Sequence, residues 1–162
     1  MKNKQQNVLH QITKWFQDAI PNPTYNDLCV QMGCHFEEFC EALQALNYQN
    51  NSDLFDSLIR TINYCSMEFK NQYFLFKRSL ELCDTHPDLK ENLVDAMADQ
   101  IVTAIGVLYM LGVEPEQVLK EVARSNDTKR NPETGEFDRD ANGKIIKGVN
   151  YKKPNLKPLC SK

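Results

Sequence analysis

The stretch DLCVQMGCHFEEFCEALQAL, Asp27–Leu46, places Leu28, Met32, Phe36, Phe39, Leu43 and Leu46 at steps of three and four. That spacing makes a single apolar stripe on an α-helix. At 100° per residue, Glu37, Glu38 and Glu41 point away from the stripe. The stretch therefore predicts a helix from Thr24–Asp27 to about Asn47, apolar on one side and acidic along one edge.

Helices extend on both sides of it. A first helix is expected over about residues 4–19, ended at Pro21 and Pro23, because the residue before each proline is pushed out of the helical region. The run NNSD, Asn50–Asp53, supplies caps for a third helix reaching about Ser79. Pro87 opens a fourth that ends at Gly112, and Pro115 opens a short fifth to about Arg124. Beyond that the chain changes character. RNPETGEFDRDANGKIIKGVNYKKPNL, Arg130–Leu156, is rich in Gly, Pro, Asn and charge, with Asn142-Gly143 suited to a two-residue hairpin turn. The reading is one all-α, four-helix-bundle-like domain: a helical core over residues 1–124 and an irregular basic tail over 125–162 with a short hairpin, folding over the site.

Composition narrows the partners. The 162 residues are 41% hydrophobic and 25% charged, as in a soluble globular domain. The sequence shows no apolar run read as bilayer-crossing and no signal peptide in MKNKQQNVLHQITKWF, so a cytoplasmic protein without a membrane partner is expected. Cysteines 29, 34, 40, 65, 83 and 160 include no CxxC pair and read as buried free thiols. From Arg124 onward ten Lys or Arg face five Asp or Glu, whereas the rest of the chain holds nine against seventeen. A basic tail on an acidic body suits a polyphosphate substrate held with a metal, and the acidic body speaks against nucleic acid.

Two acidic pairs carry the chemistry. Glu38 and Glu41 are three residues apart and Asp95 and Asp99 four apart, so each pair projects from one helix face. Hard cations take oxygen ligands, and Mg²⁺ accepts one or two protein carboxylates and fills its other positions with water and substrate phosphate. In LVDAMADQIVTAIGVLYMLG, Leu93–Gly112, apolar residues surround the axis. That half-helix is expected to be buried on all sides, where paired aspartates are costly unless a cation bridges them. Asp138, Asp140, Asn142 and Gly143 imitate the opening of a calcium loop, yet Val149 stands where its glutamate belongs, so a plain turn is expected.

With these residues in view, the chain resembles the all-α nucleoside triphosphate pyrophosphohydrolases, the MazG-like and dimeric dUTPase-like group, in the version often carried by bacteriophages. Glu38-Phe39-Cys40-Glu41 matches the ExxE half of their signature; in the ExxD half Asp99 matches, Ala96 stands in place of the glutamate, and Asp95 substitutes from the same face. The likeness continues through WFQDAIPNPT, ARSNDTKRNPETG and GKIIKGVNY. It implies a Mg²⁺ site, with Mn²⁺ as a substitute, held by Glu38, Glu41, Asp95 and Asp99. It implies Glu38 and Glu41 as the catalytic pair, with Glu38 or Glu37 accepting a proton from water. It further implies Arg124, Asn126 and Lys129 on phosphate, Asn150 and Tyr151 near the base, and a homodimer or homotetramer. The expected reaction cleaves the α–β anhydride of a nucleoside triphosphate. The alternative is a non-catalytic helical oligomerisation or interaction protein with a degenerate metal site.

Overall fold

The computed structural model describes residues 7–46 and 53–161. Its regular elements are helices: α1 (Val8–Ala19), α2 (Tyr25–Leu46), α3 (Asp53–Lys70), α4 (Phe74–Thr85), α5 (Pro87–Met110) and α6 (Pro115–Asp127), followed by a 3-10 turn at Lys157–Leu159. Among the described residues there is no strand, and an isolated antiparallel bridge joins Arg130 and Phe137. The chain is all-α, as its periodicity predicts. Part of the expected first helix and the caps Asn50–Ser52 lie outside the described residues.

The expected third helix is two helices. The Tyr73 N–H reaches Glu68 O at 2.9 Å and the Gln72 N–H reaches Phe69 O at 2.9 Å, with Gln72 at φ 55°. This paired closure satisfies the terminal carbonyls and stops α3. It ordinarily uses glycine at the left-handed position, and glutamine gives no such signal in a sequence. The same closure ends α5, where Gly112 at φ 73° is the residue expected there.

The chain divides into two compact units, one of residues 1–22, 91–138 and 145–162, the other of residues 23–90 and 139–144. In the second unit α2 pairs closely with α3, and α4 packs on both. Phe69 of α3 and Leu80 of α4 are buried there, but where α2 and α3 come closest the groups are small. Cys29, Gly33 and Cys40 of α2 and Ser66 of α3 are buried; Ser66 Oγ donates to Gly33 O at 2.8 Å and Cys40 Sγ to Ile59 O at 3.6 Å. The predicted stripe is rotated from this seam. Phe39 and Leu46 are 55% and 69% exposed, because close approach of two backbones selects the small side chains, not the large ones. Phe36 alone of the stripe joins an aromatic stack, on Phe69 at 5.5 Å.

Gly33 makes that approach possible: a Cβ there would meet Ser66 O at 2.7 Å and Lys70 N at 2.9 Å. Lys70 Cγ, at 2.6 Å, could turn aside, but the other two are backbone atoms, which move only if α3 moves. Gly33→Val is expected to lower stability by about 2–3 kcal/mol, a drop readable by thermal melting, despite valine's better helix propensity. An unchanged melting temperature would show that α2 and α3 do not meet at this glycine.

In the first unit α1 packs on α6, burying Val8, Ala19, Val118 and Ser125. Residues 91–110 of α5 belong to this unit, and here the burial expected on all sides does not occur. None of the α5 residues is buried, and Ile101, Val102 and Met110 are 57%, 65% and 84% exposed. By length and composition alone α5 is also apolar enough to cross a bilayer, contrary to the expectation from sequence. Asp95 and Asp99 lie within it, and ionised side chains at such depth are expensive. The cysteines are free thiols as expected, but only Cys29 and Cys40 are buried; Cys34, Cys65 and Cys83 are half-buried and Cys160 is exposed.

Candidate active site

The close α2–α3 seam fixes the rotation of α2, and that rotation leaves Glu38 and Glu41 on its exposed side. Glu37, on the flank of that side, reaches α3. Its Oε2 receives Lys70 Nζ of α3 at 2.8 Å and Lys144 Nζ, from the segment returned by the tail, also at 2.8 Å. Burial opposes ionisation of Glu37, yet the hydrogen bonds from Lys144 and Lys70 outweigh it and hold its carboxyl below the ordinary glutamate range. A carboxylate so held is a poor proton acceptor, which counts against Glu37 as the base; Glu38 is the other candidate that the resemblance implies.

Asp95 and Asp99 stand on the exposed surface of α5. Burial therefore does not demand a cation here, because water already solvates both charges. The spacing remains. Carboxylate oxygens three or four residues apart on solvent-open helix faces are the donors a hard divalent cation takes, so each pair fits Mg²⁺. The pairs fall in different units, and among the described residues no group of three or more His, Cys, Asp or Glu is assembled for a metal. The segment resembling a calcium loop is a turn, as expected. Asp140 Oδ1 accepts the Asn142 N–H at 2.9 Å and the Lys144 N–H at 3.0 Å, with Gly143 at φ 89°.

The basic residues implied for phosphate gather where α1 meets α6. A cavity of about 510 Å³ is lined there by Lys14, Trp15, Asp18, Lys120, Arg124 and Asp127, among others. Lys129 sits over the Trp15 ring, 5.7 Å from its centroid, and Arg130 pairs with Asp18 at 3.3 Å. Trp15 itself, whose indole N–H is buried without a partner among the described residues, has no local signal beyond its type. Lys14 is paired with Asp18, and Lys120 with Glu116 at 2.7 Å. Asn126 is half-buried and lends its backbone carbonyl to the Lys129 N–H at 3.0 Å. Asn150 is exposed in a turn, and Tyr151 is half-buried with Lys147 Nζ 5.2 Å from its ring centroid.

Arg124 is held by Glu121 through two 2.7 Å contacts, and Glu121 also accepts the Asn155 N–H at 2.7 Å. Together with the bond from Ser125 Oγ to Lys152 O at 2.8 Å, this lays the end of the tail along α6. The Arg124 bond first, then the Asn155 N–H, bring Glu121 down from 4.5 to about 2. A carboxyl depressed on folding stabilises above its unfolded pKa and loses that contribution as pH falls through the folded value. Loosening of residues 152–155 is thus expected between pH 4.5 and about 2, seen as faster amide exchange. Glu121→Gln should produce it at neutral pH; unchanged exchange in that variant would show that other contacts anchor the tail.

A family model described as phosphoribosyl-ATP pyrophosphohydrolase matches residues 10–126, a stretch that contains both acidic pairs and ends at the start of the tail. The chain belongs to that family. The phosphoribosyl-ATP pyrophosphohydrolase family lies within the MazG-like all-α superfamily that the ExxE motif suggests, and membership makes this protein a pyrophosphohydrolase acting on nucleotide phosphoanhydride bonds. Comparisons with curated proteins and with solved structures gave no match.

Proposed function

We propose that the protein is a Mg²⁺-dependent nucleoside triphosphate pyrophosphohydrolase of the phage type. It cleaves the α–β anhydride of an NTP or dNTP to a monophosphate and pyrophosphate and so controls a cytoplasmic nucleotide pool. The observation that carries this reading is the presence, inside the stretch matched by the family, of four carboxylates standing exposed on two helix faces. Glu38 with Glu41 on α2, and Asp95 with Asp99 on α5, are the carboxylate pairs that would each offer oxygen ligands to Mg²⁺, with Mn²⁺ as a substitute. When bound, the ion offsets phosphate charge and makes water more acidic. Glu38 accepts the proton of the attacking water. The water oxygen forms the new bond to phosphorus as the anhydride bond breaks, and the proton ends on the carboxylate. Arg124, Asn126 and Lys129 contact the phosphates and offset charge on the departing pyrophosphate. Asn150 and Tyr151 lie toward the base.

A second reading, a helical association protein without catalysis, draws on the open apolar surface of α5. Pyrophosphate release separates the two. The protein is assayed with a panel of canonical and modified nucleoside triphosphates, and with phosphoribosyl-ATP because the family description names it, in Mg²⁺ and in EDTA. Metal-dependent release from a triphosphate is the expected result. Release from phosphoribosyl-ATP alone would correct the substrate, and silence across the panel from folded protein would favour the association reading.

A further inference from the structure

Glu37 and Glu41 are one helical turn apart on α2, so what neutralises Glu37 also acts on the acidic edge. Glu37 carries two ammonium groups, Lys70 and Lys144, each at 2.8 Å. Lys70 comes from the neighbouring helix, and its side chain is 17% exposed. Lys144 comes from 107 residues away in sequence, in a segment outside the stretch matched by the family. That segment is built onto the helices at further points. Asn142 O accepts Gln72 Nε2 at 3.0 Å, and Asn142 Nδ2 donates to Asn71 Oδ1 at 3.2 Å, both at the left-handed corner that ends α3. The Asp140 turn immediately before Lys144 holds the backbone in place, since Asp140 Oδ1 accepts the Lys144 N–H itself. Lys144 is therefore aimed by three sets of hydrogen bonds at a carboxylate that is 34% exposed.

We propose that Lys144 is a positioning residue which, by neutralising Glu37, sets how strongly the Glu38–Glu41 edge holds a divalent cation. The inference rests on the reading of that edge as a cation site. With Lys144 in place, Glu37 is tied off and adds little to the field at Glu41. Without it, a share of the Glu37 charge returns to the edge, and the carboxylate gains freedom to swing toward a cation. Lys70 alone then balances Glu37. A unit charge one turn from a divalent ion in water-like surroundings changes its affinity by about fivefold at low salt, less as ionic strength rises.

The test is Mn²⁺ binding followed by electron paramagnetic resonance, which needs no turnover, on the full chain at low ionic strength. Lys144→Gln is expected to tighten Mn²⁺ about fivefold and Glu37→Gln to weaken it by a similar factor. The double variant, with the same net charge as the wild type, should return near the starting affinity, and Lys144→Arg should match the wild type. A purely structural role would weaken binding in both single variants. That result, or single variants indistinguishable from the wild type, overturns the inference while leaving the cation site intact. Absence of Mn²⁺ binding by the wild type removes the cation site, and the inference with it. Circular dichroism of each variant separates loss of binding from loss of fold.

Discussion

Alanine at Glu41, or at Asp99, is expected to lower the rate of pyrophosphate release about a thousandfold. That magnitude is what losing the ion would cost, since a divalent cation supplies several kcal/mol of charge stabilisation and each 1.36 kcal/mol is a factor of ten. Both residues are exposed on helices, so alanine removes a carboxylate without opening a cavity and with a gain in helix propensity. Unchanged helical content alongside lost turnover therefore assigns the loss to the site. A control carboxylate on another exposed helix face, Glu116, which is engaged by Lys120 at 2.7 Å, should tolerate alanine within about twofold, as surface ion pairs are worth little. Mn²⁺ binding measured in parallel should fall in Glu41→Ala and Asp99→Ala and hold in Glu116→Ala. Wild-type activity in either of the first two variants would remove that residue from the metal set.

How much of this is legible in the sequence depends on whether the cause is local. Pro87 and Pro115 fix helix starts because proline suits the first turn, and both predicted starts are met. The acidic pairs are legible because a spacing of three or four is a statement about one helix face. The break at Asn71–Tyr73 is not, since glutamine at φ 55° is held there by its surroundings and not by its own preference. The buried face of α2 escapes the sequence for a related reason. A stripe of large apolar residues marks the face that gains most from cover, whereas Gly33, Cys29 and Cys40 mark the face that lets a second backbone approach, and the second criterion decides the α2–α3 seam. The Glu37–Lys144 pair spans 107 residues, and no local pattern announces a partner at that distance. The burial expected of α5 fails in another way, by taking an apolar helix to be a covered one within a single chain.

A second copy of the chain is the expected cover for α5, and the protein should run as a homodimer or homotetramer in light scattering. The surface of α5 suggests how. Val94, Met97, Ile101, Ala104 and Leu108, with Leu111 just past the helix end, recur at alternating steps of three and four, a seam of period 3.5, on the side of the helix turned away from Asp95 and Asp99. Met97 and Leu108 are half-buried, while Val94, Ile101 and Leu111 remain 61%, 57% and 70% exposed. Burying a side chain of this kind is worth about 1.5–3 kcal/mol, and a seam of several on each partner meets the demand of a stable pair after the cost of association. Ile101, at the middle of the seam, is the position where a charge does most harm. Ile101→Glu places a carboxylate against its symmetry mate, or buries it unpaired, and is expected to weaken association by about a thousandfold, which would render the protein monomeric at micromolar concentration. Because the residue is already exposed in the single chain, the monomer should keep its helical content. Asp99, on the opposite face, should tolerate substitution without change of mass. A wild type that is monomeric at every concentration, or an Ile101→Glu variant that associates as before, would show that this seam is not where the copies meet.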